Sequence, residues 1–253
     1  MARARRLAKA FALITAGLVL GFSLYVGFIQ AGVIRNPFSP VLRGDIEAAR
    51  GDRPGLRVLF VGNSLTYYNS MPEMVQELAA ADPEAEPIFA VWYTRPGWSL
   101  RGASADDRLA SLLRDVRWNA VVLQEHSVVA SERPEESEPF AKKLHQRIGA
   151  RGARTVLFVT WWYRHHSDLA SRLSVRVAPF APAWDEALRR RPDLDLMGPD
   201  GRHPNRAGSY LAACVFYATL TGRDPSKSSF TAGLEKRDAR HLQRVAAEVS
   251  AHA

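Results

Sequence analysis

Cysteine is almost absent from this chain of 253 residues: Cys214 stands alone, inside the apolar run YLAACVFYATL. No internal disulfide can form and no cysteine metal cluster can be built, so the residue reads as a buried structural thiol. Histidine-carboxylate metal sets are missing as well. His165 and His166 are adjacent, so their side chains diverge, and no acid-rich partner set accompanies them, which favours a surface or loop role. There is no internal repeat. Nor is there the concentration of positive charge that nucleic acid demands, since Arg3, Arg5, Arg6 and Lys9 supply four of the net +8. The remaining +4 is too mild to argue for a nucleic-acid partner. What is present, 47% hydrophobic and 24% charged residues, is the composition of a globular protein. About 200 residues follow the N-terminal segment, enough for one well-buried α/β domain.

That N-terminal segment has a basic head, MARARRLAK, followed by an uncharged run of 25 residues from Ala10 to Ile34. A helix needs about 20 apolar residues to cross a bilayer. A cleavable signal peptide is the rival reading, but the run exceeds a usual signal core of roughly 7–15 residues and no clean Ala-x-Ala site follows it. The Arg5-Arg6 pair lacks the rest of a twin-arginine motif. The expectation is an uncleaved signal anchor and transmembrane helix over 1–34, with the head cytoplasmic and the following domain extracytoplasmic. Secretion after cleavage is the alternative. Residues 35–55, rich in proline, glycine and charge, read as a tether with a short helical piece around Asp45 to Arg50, and 56–253 as the folded domain.

Within that domain strand and helix signals alternate. Strands are expected at Leu56 to Val61, Pro87 to Thr94, Ala120 to Gln124, Thr155 to Thr160 and, briefly, Leu194 to Met197. Helices are expected at Met71 to Ala81, Asp106 to Asp115, Glu136 to Ile148, Asp168 to Arg190 with a break near Pro179 and Pro182, Asn205 to Thr221 and Leu234 to Ala251. The runs VLFV and AVVL are continuously apolar, as parallel strands covered on both faces require. The fold class is therefore α/β, a three-layer α/β/α sandwich around a parallel sheet of about five strands. Ligands of such folds bind beyond the carboxyl ends of the strands.

At the first of those ends stands Gly62-Asn63-Ser64. One reading makes Asn63, Ser64, Thr66, Asn69 and Ser70 turn and cap residues that satisfy free N–H groups at a helix start. The other makes Ser64 a nucleophile beside backbone amides able to hold an oxyanion. A nucleophilic serine needs a base and an orienter. Asp200 and His203, three residues apart in PDGRHPNRAGSYLA, can supply both, with the carboxylate on Nδ1–H and Nε2 facing the hydroxyl. Alternatively Asp200-Gly201 is a plain turn and His203 a surface residue. His126 lines a cleft or a solvated loop on equal grounds, and Trp92, Trp98, Trp161 and Trp162 are core residues by default or stacking platforms near strand ends.

Taken in order, GNSLTYYN, PGWSL, VVLQEHS and DGRHPNRAGSYLA resemble the motif blocks of the SGNH, or GDSL-like, esterases and lipases, over roughly Leu56 to Thr221. The resemblance implies a flavodoxin-like SGNH fold and ester hydrolysis through an acyl-serine, without metal or organic cofactor. Ser64 would be the nucleophile, His203 the base and then acid, and Asp200 its orienter. The oxyanion hole would consist of the Ser64 N–H, the Gly97 N–H, with Gly102 as a fallback, and Gln124, where the family carries asparagine. Asn63 likewise replaces an aspartate common among relatives. The Gln-Glu pair in LQEHS is similar to some carbohydrate-esterase branches, which tilts the substrate toward acylated sugars. An acyltransferase would use the same residues, and a degenerate glycan-binding module is the alternative without catalysis.

Overall fold

The computed structural model describes residues 39–160 and 163–252. The run Ala10 to Ile34 lies outside these residues, as do Trp161 and Trp162. Among the described residues no helix is long and apolar enough to cross a membrane. Pro40–Ala253 forms one compact unit.

Its centre is a sheet of six strands: β1 (Val41–Arg43), β2 (Leu56–Gly62), β3 (Ile88–Thr94), β4 (Ala120–Leu123), β5 (Arg154–Phe158) and β6 (Arg176–Ala178). The spatial order is β1-β3-β2-β4-β5-β6, parallel throughout except that β1 runs antiparallel along β3. Successive residues of each central strand feed opposite cores, because side chains alternate across a sheet. Val58 and Phe60 of β2 enter one core, while Leu59 and Val61 enter the other. Helices α3 (Met71–Ala80), α9 (Phe180–Arg190), α10 (Arg206–Thr221) and α11 (Lys236–Ser250) cover the first face. Helices α4 (Leu100–Ser104), α5 (Asp107–Asp115), α7 (Glu138–Gly149) and part of α8 (Tyr163–Leu173) cover the second, and the short α6 (Ser127–Glu132) follows β4. A helix with almost no exposed side must be apolar all round, and α10 is, with Phe216 edge-on to both Phe60 and Phe158 at 5.2 and 4.8 Å. Cys214 is fully buried there, and burial pushes its thiol pKa up.

Three expectations need correction. The segment read as a tether is partly folded: β1 pairs with Thr94, Tyr93 and Trp92, and Gly44, at φ +86°, turns the chain into α1 (Ile46–Arg50), capped by Asp45, the short helical piece expected there. A side chain at Gly44 would collide with the Ala90 carbonyl. The break expected near Pro179 begins earlier, at Ser174 with φ 53°, after which Val175 and Val177 pack on the second core and Arg176–Ala178 joins the sheet as β6, and the helix resumes at Phe180. Leu194 to Met197 is not a strand; its only ladder contact is the isolated bridge from Met197 to Pro204. Its backbone is served by its own return loop, since Asn205 N–H donates to Leu196 O at 2.9 Å and Asn205 Nδ2 to Asp195 O at 2.9 Å.

Candidate active site

At the carboxyl end of β2 the chain turns sharply into a one-turn helix, α2 (Ser64–Tyr67). Gly62 permits the turn, because a Cβ there would lie 2.5 Å from Thr66 Oγ1 and 2.7 Å from Gln124. Asn63 caps the helix, its Oδ1 accepting from the Leu65 N–H at 3.4 Å, and Ser64 follows as the first helical residue, half-buried. Capping thus belongs to Asn63, which leaves the Ser64 hydroxyl for other work.

Gln124 underpins this turn. Its Oε1 accepts from the Asn63 N–H at 3.1 Å and from Thr66 Oγ1 at 2.6 Å, while Nε2 donates to Asn63 Oδ1 at 2.5 Å and to Glu125 O at 3.3 Å. With both amide hydrogens used inside the protein and the residue buried, Gln124 has no donor left to point at an oxyanion. It holds the turn from beneath.

The loop after β3 is tied to the same point. Arg95 N–H donates to Gly62 O at 3.2 Å, Asn63 Nδ2 donates to Trp98 O at 3.0 Å, and the buried Glu125 carboxylate accepts from Leu100 N–H at 3.1 Å and His126 N–H at 2.6 Å. Burial raises the pKa of Glu125, against the lowering effect of these donors. Arg95 to Trp98 is a turn with Pro96 second and Gly97, at φ +61°, third, an arrangement that suits glycine there. Gly97 is exposed and faces His126, whose Nε2 would lie 4.0 Å from a Cβ on it. Among the described residues no acceptor takes the Ser64 N–H or the Gly97 N–H. The Gly102 N–H, by contrast, is directed at Ser99 Oγ, at 3.4 Å, and its Cα packs under Trp98. Trp92 and Trp98 belong to the two cores, and His165 and His166 fall in α8.

His203 and Asp200 sit in the return loop after Met197, at the entry to α10. Asp200 Oδ2 lies 2.6 Å from His203 Nδ1, and Asp200 Oδ1 accepts from the Arg202 and His203 N–H groups, each at 3.0 Å, around Gly201 at φ +63°. These bonds, that from His203 foremost, hold the Asp200 carboxyl well below the usual range. His203 Nε2 has no hydrogen-bond partner among the described residues. The loop is held to the serine segment by two residues that sequence reasoning assigned no catalytic part. Tyr68 stacks on the His203 ring, and Asn69 Nδ2 donates to Pro204 O at 3.1 Å and to Ser209 Oγ at 2.9 Å.

A serine on a strand-to-helix turn, free amides beside it and an Asp-His pair from a late loop are now joined to a parallel α/β/α sheet. The matching solved structures decide the fold. A candidate SGNH hydrolase from Slackia heliotrinireducens superposes with a TM-score of 0.56 at 27% identity, over 66% of this chain and 100% of that one. The chain has the fold of the SGNH hydrolases. A DUF4886 family protein from Bacteroides uniformis shares it with a TM-score of 0.66 at 18% identity, over 78% of this chain and 95% of that one. So does a psychrotrophic esterase of a Pseudoalteromonas species, solved with monoethylphosphonate as inhibitor, with a TM-score of 0.51 at 18% identity over 65% and 96%. No protein-family model matches the sequence, and no curated relative does. On the SGNH fold, β2 and the loop before α10 carry Ser64 and His203, and the loop after β3 carries Gly97.

Proposed function

We propose that the protein is a serine esterase that cleaves carboxylic esters through an acyl-serine intermediate. The observation that carries this reading is the Asp200–His203 pair at 2.6 Å with Nε2 unpartnered, clasped by Tyr68 and Asn69 to the segment that begins with Ser64. In the reaction, Ser64 Oγ attacks the ester carbon while His203 Nε2 takes its proton. The carbonyl oxygen becomes an oxyanion facing the Ser64 and Gly97 N–H groups. The bond to the alcohol then breaks and His203 returns the proton to the departing oxygen. Water repeats the attack on the acyl group with His203 again as base, freeing acid and serine. Asp200 keeps Nδ1–H oriented and offsets the charge of the imidazolium.

For the substrate we favour short acyl, foremost O-acetyl, esters on glycans of the cell envelope. This is supported by the Gln124-Glu125 pair, and by the basic head and 25-residue uncharged run that would anchor the domain outside the cytoplasmic membrane. Hydrolysis of a panel of aryl and acetylated-sugar esters by the full chain, with Ser64→Ala as control, tests the reaction; no turnover of any ester would reject it. For the anchor, protease added to cells with a permeabilised outer envelope should digest the domain. Full protection beside a cleaved external control would reject that placement.

A further inference from the structure

Tyr68 lies face to face with His203, the ring centroids 3.9 Å apart and the planes 8° from parallel. A bend of a rare kind brings it there. Directly after Tyr68, Asn69 (φ 52°, ψ 25°) and Ser70 (φ 55°, ψ 42°) both occupy the left-handed region, which residues with side chains seldom visit twice in succession. The bend is secured from the other side of the site: the Asn69 amide binds the carbonyl of Pro204, the residue after His203, and the hydroxyl of Ser209 in α10.

We propose that Tyr68 is a positioning residue for His203, setting the plane of the imidazole and stabilising the imidazolium that forms each time the base holds the Ser64 proton. The inference rests on the serine-esterase reading above. Asp200 grips only the Nδ1 edge of the ring, and one hydrogen bond leaves the ring free to tilt about that contact. A second constraint on the face removes the tilt and keeps Nε2 aimed at one place. A cation within about 6 Å of an aromatic face is also attracted by the ring's quadrupole, so the stack assists the step in which the base holds the serine proton. The titratable groups against the ring are Asp200, from its own turn, and the Tyr68 phenol; Arg202, next in sequence, is exposed. The phenol hydroxyl takes no part in the stack, so phenylalanine should replace Tyr68 and an aliphatic residue should not.

The test compares full-length wild type, Tyr68→Phe and Tyr68→Leu by the NMR shifts of the His203 ring protons, assigned by their loss in His203→Gln, and by the kinetics of ester hydrolysis. Removing the stack frees the ring to tilt, so in Tyr68→Leu the His203 ring protons should lose the upfield shift that the Tyr68 ring current gives them. kcat should fall about five- to tenfold with KM little changed, whereas Tyr68→Phe stays within about twofold of wild type. Unchanged kcat in Tyr68→Leu would overturn the proposal, as would a phenylalanine variant as impaired as the leucine one. If wild type hydrolyses no ester, the esterase reading fails while the ring-proton shifts still decide the stack. Should Tyr68→Leu not fold, the wild-type spectrum decides: the His203 ring protons should lie upfield under the Tyr68 ring current, as in Tyr68→Phe, and their absence there would overturn the proposal.

Discussion

Ser64→Ala and His203→Ala should each lower kcat by about 10³-fold or more, and the double variant should lose little beyond either alone, because the residues act as one unit. Steady-state kinetics on folded protein checks this; near-additive losses would mean two independent contributions. Because the Asp200 carboxyl is held well below the usual range, it stays ionised through the mildly acid range. The pH profile of kcat/KM should therefore carry no carboxylate limb from Asp200 on its acid side, and an acid limb that Asp200→Asn abolishes would contradict this. At this scale the Asp200–His203 pairing and the place of Ser64 on a strand-to-helix turn were legible, because each stands in a local motif with its own turn. Tyr68 and Asn69 were not. Their partners lie 135 to 140 residues away in sequence, and a left-handed pair without glycine leaves no mark in composition. Gln124 was legible in place but not in direction, since only the fold shows that its amide is consumed by Asn63, Thr66 and Glu125.

The turn from β2 into α2 behaves as an element braced by Gln124. Gln124→Ala should leave the Asn63 N–H and the Thr66 hydroxyl without their buried partner, at a cost of roughly 2 kcal/mol. Thermal unfolding should fall by roughly 5 °C, together with kcat. A variant that loses kcat while keeping its melting temperature would return Gln124 to the oxyanion hole. The strands β2, β3, β4 and β5 could be read from continuous apolar runs, because both their faces are covered. β1 and β6 are three-residue strands, too short to carry a period. Leu194 to Met197 misleads for a physical reason: Leu194 and Leu196 alternate into the first core as a strand's would, but the backbone bonds go to the loop that builds the Asp200–His203 turn.

Across the whole molecule, the loop after α3 is fastened to the end of α10 by an ion pair between the buried Asp82 and the half-buried Arg223. Asp82 accepts from Arg223 Nε at 2.9 Å and Nη2 at 3.0 Å and from the Tyr217 hydroxyl at 2.5 Å. Chiefly through the Arg223 bond, its pKa is lowered below the usual carboxylate range to about 2. A carboxylate depressed by folding stabilises the native state fully above its unfolded pKa and loses that contribution as pH falls through its folded one. Asp82→Asn should thus cost roughly 2 kcal/mol at neutral pH and progressively less between about pH 4 and pH 2. Denaturant unfolding across that range checks it, and a pH-independent difference would show that packing, not charge, holds the loop. The three layers were legible from the alternation of apolar runs with amphipathic ones. The sixth strand and the antiparallel edge were not, because strand order is set by contacts far apart in sequence.

The central claim is that Ser64 is an activated nucleophile. A fluorophosphonate reacts only with such a serine, so intact-mass and peptide mapping of the labelled full-length protein tests it most directly. One adduct is expected, on the peptide containing Ser64, absent in Ser64→Ala and formed much more slowly in His203→Ala. No adduct on the wild-type protein, or one that persists in Ser64→Ala, would contradict it.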